Sequence, residues 1–436
     1  MLLRTLPCVA GPVVGRFSVP ASKSLAQRAL ALAVLADGES EIVADGPTPD
    51  DVTGFAAALT ALCGRPVAPG GPIAGAFTPE GLGASRASVR CDLGRNATGL
   101  RLSLALAGLR PAGARALLRG DRRLLLRPHR PLRRALRSLG GHVLRRHSGS
   151  LRVLGAPWTR HELGLDASGS SQHASALLLA APRAGGLCLT LTGDPVSSSY
   201  LGLTLAVLRA FGVPVREEGR CTVVEACAPR ARRFVVEPDA SSAAVWWTVA
   251  ALSGGRSTVP GLPSQTAQPD AALLPILERM GARVSVAPTG EAVVTGPDGG
   301  ALRGAGDVDL RATPDLAPLV GVLAARAEGT TRVVRAEHLR GKESDRVSTV
   351  VAALRACGVR AEPAADGFVV EGGGARGGRV LVAGDHRIAL AFGALGLVVP
   401  GIALSGGEAV SKSWPGGLDR LEEAAEASRG DPVPRP

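Results

Sequence analysis

The feature that most constrains this chain is a repeat. Apolar helical stretches end five times in one way, LTALCGRPV, LRSLGGHV, LRAFGVPV, LERMGARV and LRACGVRA, each stopped by a glycine and followed by a strand-like run. These glycines, Gly64, Gly140, Gly212, Gly281 and Gly358, recur at intervals of 76, 72, 69 and 77 residues. Helix beginnings recur more evenly. Small or capping residues open apolar runs at Ser24, Ala97, Ser171, Ser241, Asp315 and His386, at intervals of 73, 74, 70, 74 and 71. Fixed periods mean copies of one supersecondary unit. Six units, each mixing strand and helix, account for nearly all of the 436 residues, a length beyond one ordinary core.

The repeat also points to chemistry. Helix N-termini present unsatisfied N–H groups and the positive end of the helix dipole, so six of them facing one cleft would form a chamber for phosphate. The formal charge of +12 also calls for anionic partners. Nucleic acid fits poorly, because aromatic residues are 3% of the chain and the arginines are scattered rather than gathered in a tail. Small phosphorylated substrates fit better, with a merely arginine-rich surface as the bland alternative.

One count sharpens the choice. Of 50 basic residues only Lys23, Lys342 and Lys412 are lysine, and Asn96 and Tyr200 are the sole Asn and Tyr. Arginine replaces lysine cheaply where only charge is needed, but not where a compact ammonium is needed. Lys23 and Asn96 sit at the first two helix starts, and Lys412 follows the sixth. The seven cysteines form no CxxC pair and no Cys/His cluster of zinc spacing, so neither a metal site nor a disulfide framework is expected, and reduced thiols in a cytoplasm fit best. The N-terminus lacks the apolar core of a signal peptide, and the 17-residue stretch 388–404 holds three glycines and Pro400, so no membrane span is expected. Residues 431–436 read as a flexible tail.

Eight strings carry candidate chemistry. In VPASKSLAQRALALAVLADG, Lys23 and Ser24 open an amphipathic helix, and Ser24 and Arg28, four apart, could clamp one anion while Lys23 reaches a second. GRNATGLRLSLALAGL puts small residues, Ala97 among them, where a ligand could approach the backbone. GDRRLLLRPHRPLRRALRSLGG offers Arg123 and Arg127, with the later arginines on a solvated face. DASGSSQHASALLLAAP sets Ser170, Ser171 and Gln172 at a helix start, and one capping role explains only one of the serines. PVSSSYLGLTLAVLRAFG contributes Ser197 and Tyr200. ATPDLAPLVGVLAA places Asp315 at a helix start. AEHLRGKESDRVSTVVAALRACG packs Lys342, Glu343, Asp345 and Arg346 within five residues, with Lys342 and Arg346 expected on one face; Glu343 among cations could transfer a proton. In AGDHRIALAFGAL, followed by VSKSWPGGLDRLEEA, Asp385, His386 and Arg387 open an otherwise apolar helix, with Lys412 beyond.

In order and spacing, the strings PASKSLAQRAL, GDRRLLLRP, SGSSQHASALLLAAP, VEPDASSAA, PDLAPL, RGKESDR, GDHRIAL and SKSWP resemble the motifs of the EPSP synthase (3-phosphoshikimate 1-carboxyvinyltransferase) family across residues 19–417. The resemblance implies an α/β fold, a two-domain inside-out α/β barrel of six βαβαββ repeats closing over an interdomain cleft. It implies one domain over residues 20–234 and a second over 1–19 with 235–430. It also implies enolpyruvyl transfer from phosphoenolpyruvate to the 5-hydroxyl of shikimate 3-phosphate in the shikimate pathway, with no cofactor and no metal, by a cytoplasmic and monomeric enzyme with no nucleic-acid or membrane partner. Carried over by position, Lys23, Ala97, Arg127, Gln172, Arg346, Arg387 and Lys412 meet phosphoenolpyruvate. Lys23, Ser24, Arg28, Ser170, Ser171, Gln172, Ser197, Tyr200, Asp315, His338 and Lys342 meet shikimate 3-phosphate. Lys23, Asp315, Glu343 and His386 are the catalytic candidates, with Asp315 as base toward the hydroxyl.

Three departures stand out. The family loop GNAGTAMR is GRNATGLR here, which puts Ala97 at the glycine that backs onto phosphoenolpyruvate and should weaken glyphosate more than the smaller substrate. SKPY is SSSY, and His338 stands where Asn is common. These leave open a relative acting on a different acceptor alcohol. The cell-wall enzyme using UDP-N-acetylglucosamine is disfavoured, because it reads KN at the first motif and carries a loop Cys, whereas residues 92–186 here hold none.

Overall fold

The computed structural model describes residues 3–9 and 11–430, so the tail expected at 431–436 lies outside the described residues. The chain divides into two compact units, Ala21–Val236 and a second built from residues up to Pro20 and from Glu237 onward. The first division therefore falls one residue, and the second two residues, later than the sequence expectation. The reason at the second is local: strand Arg233–Val235 pairs in parallel with Glu39–Val43 and so belongs with Ala21–Val236.

Every repeat follows one plan. In the fullest copy, strand Glu162–Asp166 leads to helix Ser171–Ala180, strand Leu187–Thr192, helix Ser199–Ala210 and the hairpin Val215–Glu218 with Cys221–Val224. The first two strands pair in parallel and the hairpin adds antiparallel, so the fold keeps a single crossover helix between parallel neighbours. The same order recurs in Val89–Asp92, Arg115–Arg119, Leu151–Leu154, His142–Arg145, and in Gly306–Asp309, Thr330–Val334, Gly367–Glu371, Arg360–Ala364. The sheet of Arg256–Pro260, Glu291–Thr295 and Arg283–Ala287 takes its parallel edge from Val14–Arg16, while Gly378–Leu381 and Ile402–Ser405 are completed by Leu3–Thr5.

The repeated glycines have a backbone reason. Gly64, Gly140, Gly212, Gly281 and Gly358 all have φ between 69° and 104°, the left-handed region that a side chain penalises, and each follows a helix within two residues.

The first helix of each repeat is buried on nearly all sides. In Ala21–Val236 these are Lys23–Ala33, Ala97–Gly108 and Ser171–Ala180, which pack against one another; in the other unit they are Ala240–Ser253, Ala317–Arg326 and His386–Gly396. Helices rich in Ala, Leu and Val on every face belong inside, and the three main sheets of each unit flank them. That is the inside-out arrangement: helices at the centre, sheets outside. Two separate hydrophobic cores result, one per unit. Among the described residues no helix is long and apolar enough to cross a membrane.

Candidate functional site

In Ala21–Val236 the starts of the three inner helices are tied side by side. The Asn96 side chain caps the Ala97 helix by accepting from Gly99 N–H at 2.7 Å, and donates to the Asp51 carbonyl at 2.6 Å. A methyl at Gly99 would strike the Asn96 amide, so the glycine is required there. Gln27 donates to the same carbonyl, and Lys23 Nζ donates to the Asp51 carboxylate at 2.9 Å. Arg101, buried in the second turn of the Ala97 helix, donates to Ser170 Oγ at 2.9 Å and to Gln172 Oε1 at 2.6 Å, which orients both at the start of the next helix. Ser170 in turn accepts from Gln172 N–H as the cap. Ser197 is buried and adopts φ 54°, a conformation that costs about 1–3 kcal/mol outside glycine and gathers at functional sites. Tyr200, three residues on, and Arg127 are half-buried, Arg123 is exposed, and Ala97 is buried as the first helical residue.

Arg28 lies on the inner face of its helix and is only 1% exposed; it donates to the Ser24 carbonyl, Thr204 Oγ1, Ser175 Oγ and the Tyr200 carbonyl. Burial without a carboxylate partner pulls its guanidinium down to about 10. Its role in the structure is to brace the Lys23 and Ser199 helices, holding Tyr200 in place. Arg95, which stands at the family's Asn position, pairs on the surface with Asp121.

In the other unit the centre is Arg346, whose side chain is 1% exposed. It binds Asp315 Oδ1 at 2.8 Å, Glu343 Oε2 at 3.0 Å and Asp385 Oδ2 at 3.0 Å. Lys412 Nζ holds the other Glu343 oxygen at 3.0 Å, and Arg387 bridges Asp315 Oδ2 at 2.9 Å and Asp270 Oδ2 at 2.8 Å. Lys342 lies 3.9 Å from Asp315. The shared helical face expected for Lys342 and Arg346 does not exist, because the helix begins only at Arg346 and Asp345 is its cap; both cations reach Asp315 by separate routes.

The carboxylates divide by access. Asp315 and Glu343 keep 17% and 19% of their side-chain surface open, whereas Asp385 is closed, caps Arg387 N–H and accepts from Ser344. Asp385 is therefore scaffold, and Asp315 and Glu343 can meet a substrate. Burial works to raise the Asp315 carboxyl, but Arg387, Lys342 and Arg346 outweigh it and hold the group well below the usual carboxylate range. Burial and then Lys342 push His338 down to about 4, so it is a neutral ring at pH 7. His386 is buried and its Nδ1 engages Ser413, next to Lys412. Trp414 packs edge-on against Trp246, itself stacked 3.9 Å from Phe17, which fixes the Lys412 turn.

Arg101, Asp51 and Asp270 escaped the sequence reading. A lone arginine inside an apolar helix was a signal for the first; Asp51 and Asp270 had none.

The enolpyruvyl transferase NikO from Streptomyces tendae has the same fold, with a TM-score of 0.73 at 19% identity over 96% of this chain and 97% of that one. A sequence model of EPSP synthase (3-phosphoshikimate 1-carboxyvinyltransferase) matches residues 9–421, and the chain belongs to that family. It is 37% identical over 421 residues to the 3-phosphoshikimate 1-carboxyvinyltransferase of Syntrophobacter fumaroxidans, covering 94% of this chain and 97% of that protein. The enzyme of the same name from Halobacterium salinarum is 36% identical over 417 residues, covering 92% of each. EPSP synthase from Acinetobacter baumannii superposes with a TM-score of 0.75 at 25% identity, over 97% of this chain and 98% of that one.

Proposed function

We propose that this chain transfers the enolpyruvyl group of phosphoenolpyruvate to the 5-hydroxyl of shikimate 3-phosphate, releasing phosphate, on the route to chorismate and the aromatic amino acids. The observation that supports it most is the alternation around Arg346, where four cations are placed for phosphate and carboxylate oxygens and two accessible carboxylates, Asp315 and Glu343, for protons. The reading places the enzyme in the cytoplasm as a monomer, with small anions as its partners.

The reaction is addition followed by elimination. The methylene carbon of phosphoenolpyruvate takes a proton, the hydroxyl oxygen attacks C2 and loses its proton, and then the bond from C2 to the phosphate oxygen breaks as the methyl proton departs. Asp315 accepts the hydroxyl proton. With three cations on it, Asp315 is a weak base, and substrate oxygens that draw Arg387 and Lys342 away would strengthen it. Glu343, held between Arg346 and Lys412, delivers and then removes the methyl proton, with Lys23 as partner. Lys23, Arg127, Gln172, Arg346, Arg387, Lys412 and the backbone at Ala97 hold phosphoenolpyruvate. Ser24, Arg28, Ser170, Ser171, Ser197, Tyr200, His338 and Lys342 hold the acceptor. The scheme uses no metal and no organic cofactor.

Phosphate release with both substrates tests this. Turnover is expected, and Lys23→Ala should lower it at least ~100-fold, the scale of losing one donor to a developing anion. Bound phosphoenolpyruvate without turnover would move the acceptor to another alcohol. A second measurement concerns the loop: Ala97→Gly should tighten glyphosate inhibition at least ~10-fold, or ~1.4 kcal/mol, with a smaller change in KM for phosphoenolpyruvate. Nanomolar or low-micromolar inhibition of the unaltered protein would contradict the crowding.

A further inference from the structure

Strands Leu187–Thr192 and Cys221–Val224 run antiparallel, with Cys188 opposite Val223 and Thr190 opposite Cys221. The two cysteines are diagonal neighbours on one face. That face is the outer one, since Leu187, Leu189, Thr222 and Val224 point into the unit and are buried, while Cys188 and Cys221 are half-buried. Their sulfurs lie 2.7 Å apart. A disulfide needs about 2.05 Å, so closure asks for a movement of roughly 0.7 Å.

We propose that Cys188 and Cys221 form a redox modification site, a cross-strand disulfide closed by a low-molecular-weight disulfide. One thiolate attacks a sulfur of the small disulfide, forming a mixed disulfide and expelling one small thiolate. The second protein thiolate then attacks the protein-bound sulfur and expels the other. The two electrons leave with the two small thiols, which take up the two protons released. The hydrogen bond with Cys221, then burial and the nearby carboxylates Glu162 and Glu218, push the Cys188 thiol up to about 11, so the first attack is slow at neutral pH and faster in alkali. The bond would close a loop containing Ser197 and Tyr200, tying the ends of the segment that presents them.

The test is peptide mapping of the full chain under non-reducing conditions after incubation with glutathione disulfide. A linked peptide joining Cys188 to Cys221 is expected, lost on reduction and absent in Cys188→Ser. Both thiols alkylated, or each carrying glutathione separately in the unaltered chain, would overturn the site. Oxidation should also raise Tm by about 3 °C in the unaltered chain and not in the variant. A linked peptide without that rise would overturn the tying of the segment.

Discussion

Replacing Arg346 by methionine should destabilise the unit built on Glu237 and beyond by about 3–5 kcal/mol, because a buried cation is removed while its carboxylate partners stay. Asp385 has no solvent route to neutralise its charge, and Asp315 and Glu343 lose the partner that holds one oxygen of each. Activity should be lost as well. Thermal unfolding and phosphate release check both. The pH dependence supplies the sign. Arg346 is one of three cations that hold Asp315 below the usual carboxylate range, so the stability this pairing contributes is present above the ordinary carboxylate value and lost as pH falls through the lowered one; the variant forgoes the share of Arg346. The deficit against the unaltered chain should therefore be full at pH 7 and shrink only as pH falls below the ordinary carboxylate value. An unchanged Tm at pH 7 would show that solvent, not Arg346, offsets these charges.

Glu343→Gln should leave the fold intact and lower kcat by about 100- to 10,000-fold, the range for a positioned acid or base. The amide keeps the shape, but its single oxygen can accept from Arg346 or from Lys412 and not from both, and it can no longer give and retake a proton. Exchange of solvent deuterium into the methyl-derived protons should fall in step. A loss under tenfold would take Glu343 out of the proton path and leave Asp315 and Lys23 as the candidates.

The repeat architecture was legible because its signals are local. A left-handed glycine after five of the outer helices and an apolar run after each small residue are set by backbone sterics and burial, and both survive into the structure. The scarcity of lysine was informative for a related reason: Lys23, Lys342 and Lys412 each approach a carboxylate where a bulky guanidinium would fit differently. What escaped depends on tertiary pairing. The bonds from Arg28 to Thr204 and Ser175, on two other helices, are decided by the packing of the Lys23 helix, which a four-residue spacing from Ser24 does not announce. Lys342 and Arg346 have the spacing of a helical pair, but the Asp345 cap delays the helix. Asp270 contributes to the Arg387 network from 117 residues away, a separation no local pattern announces.

The strands Leu3–Thr5 and Val14–Arg16 complete sheets whose other strands come from residue 256 onward. During synthesis the first 20 residues therefore emerge with nothing to pair with, while Ala21–Val236 holds every strand its three main sheets need and can fold as soon as it leaves the ribosome. The earliest part of the chain must wait for the latest. A ribosome stalled far enough past Val236 for that residue to have cleared the exit tunnel should accordingly display a protease-resistant Ala21–Val236 with a cleavable leading segment, a stretch open to cellular quality control until its partner strands are made.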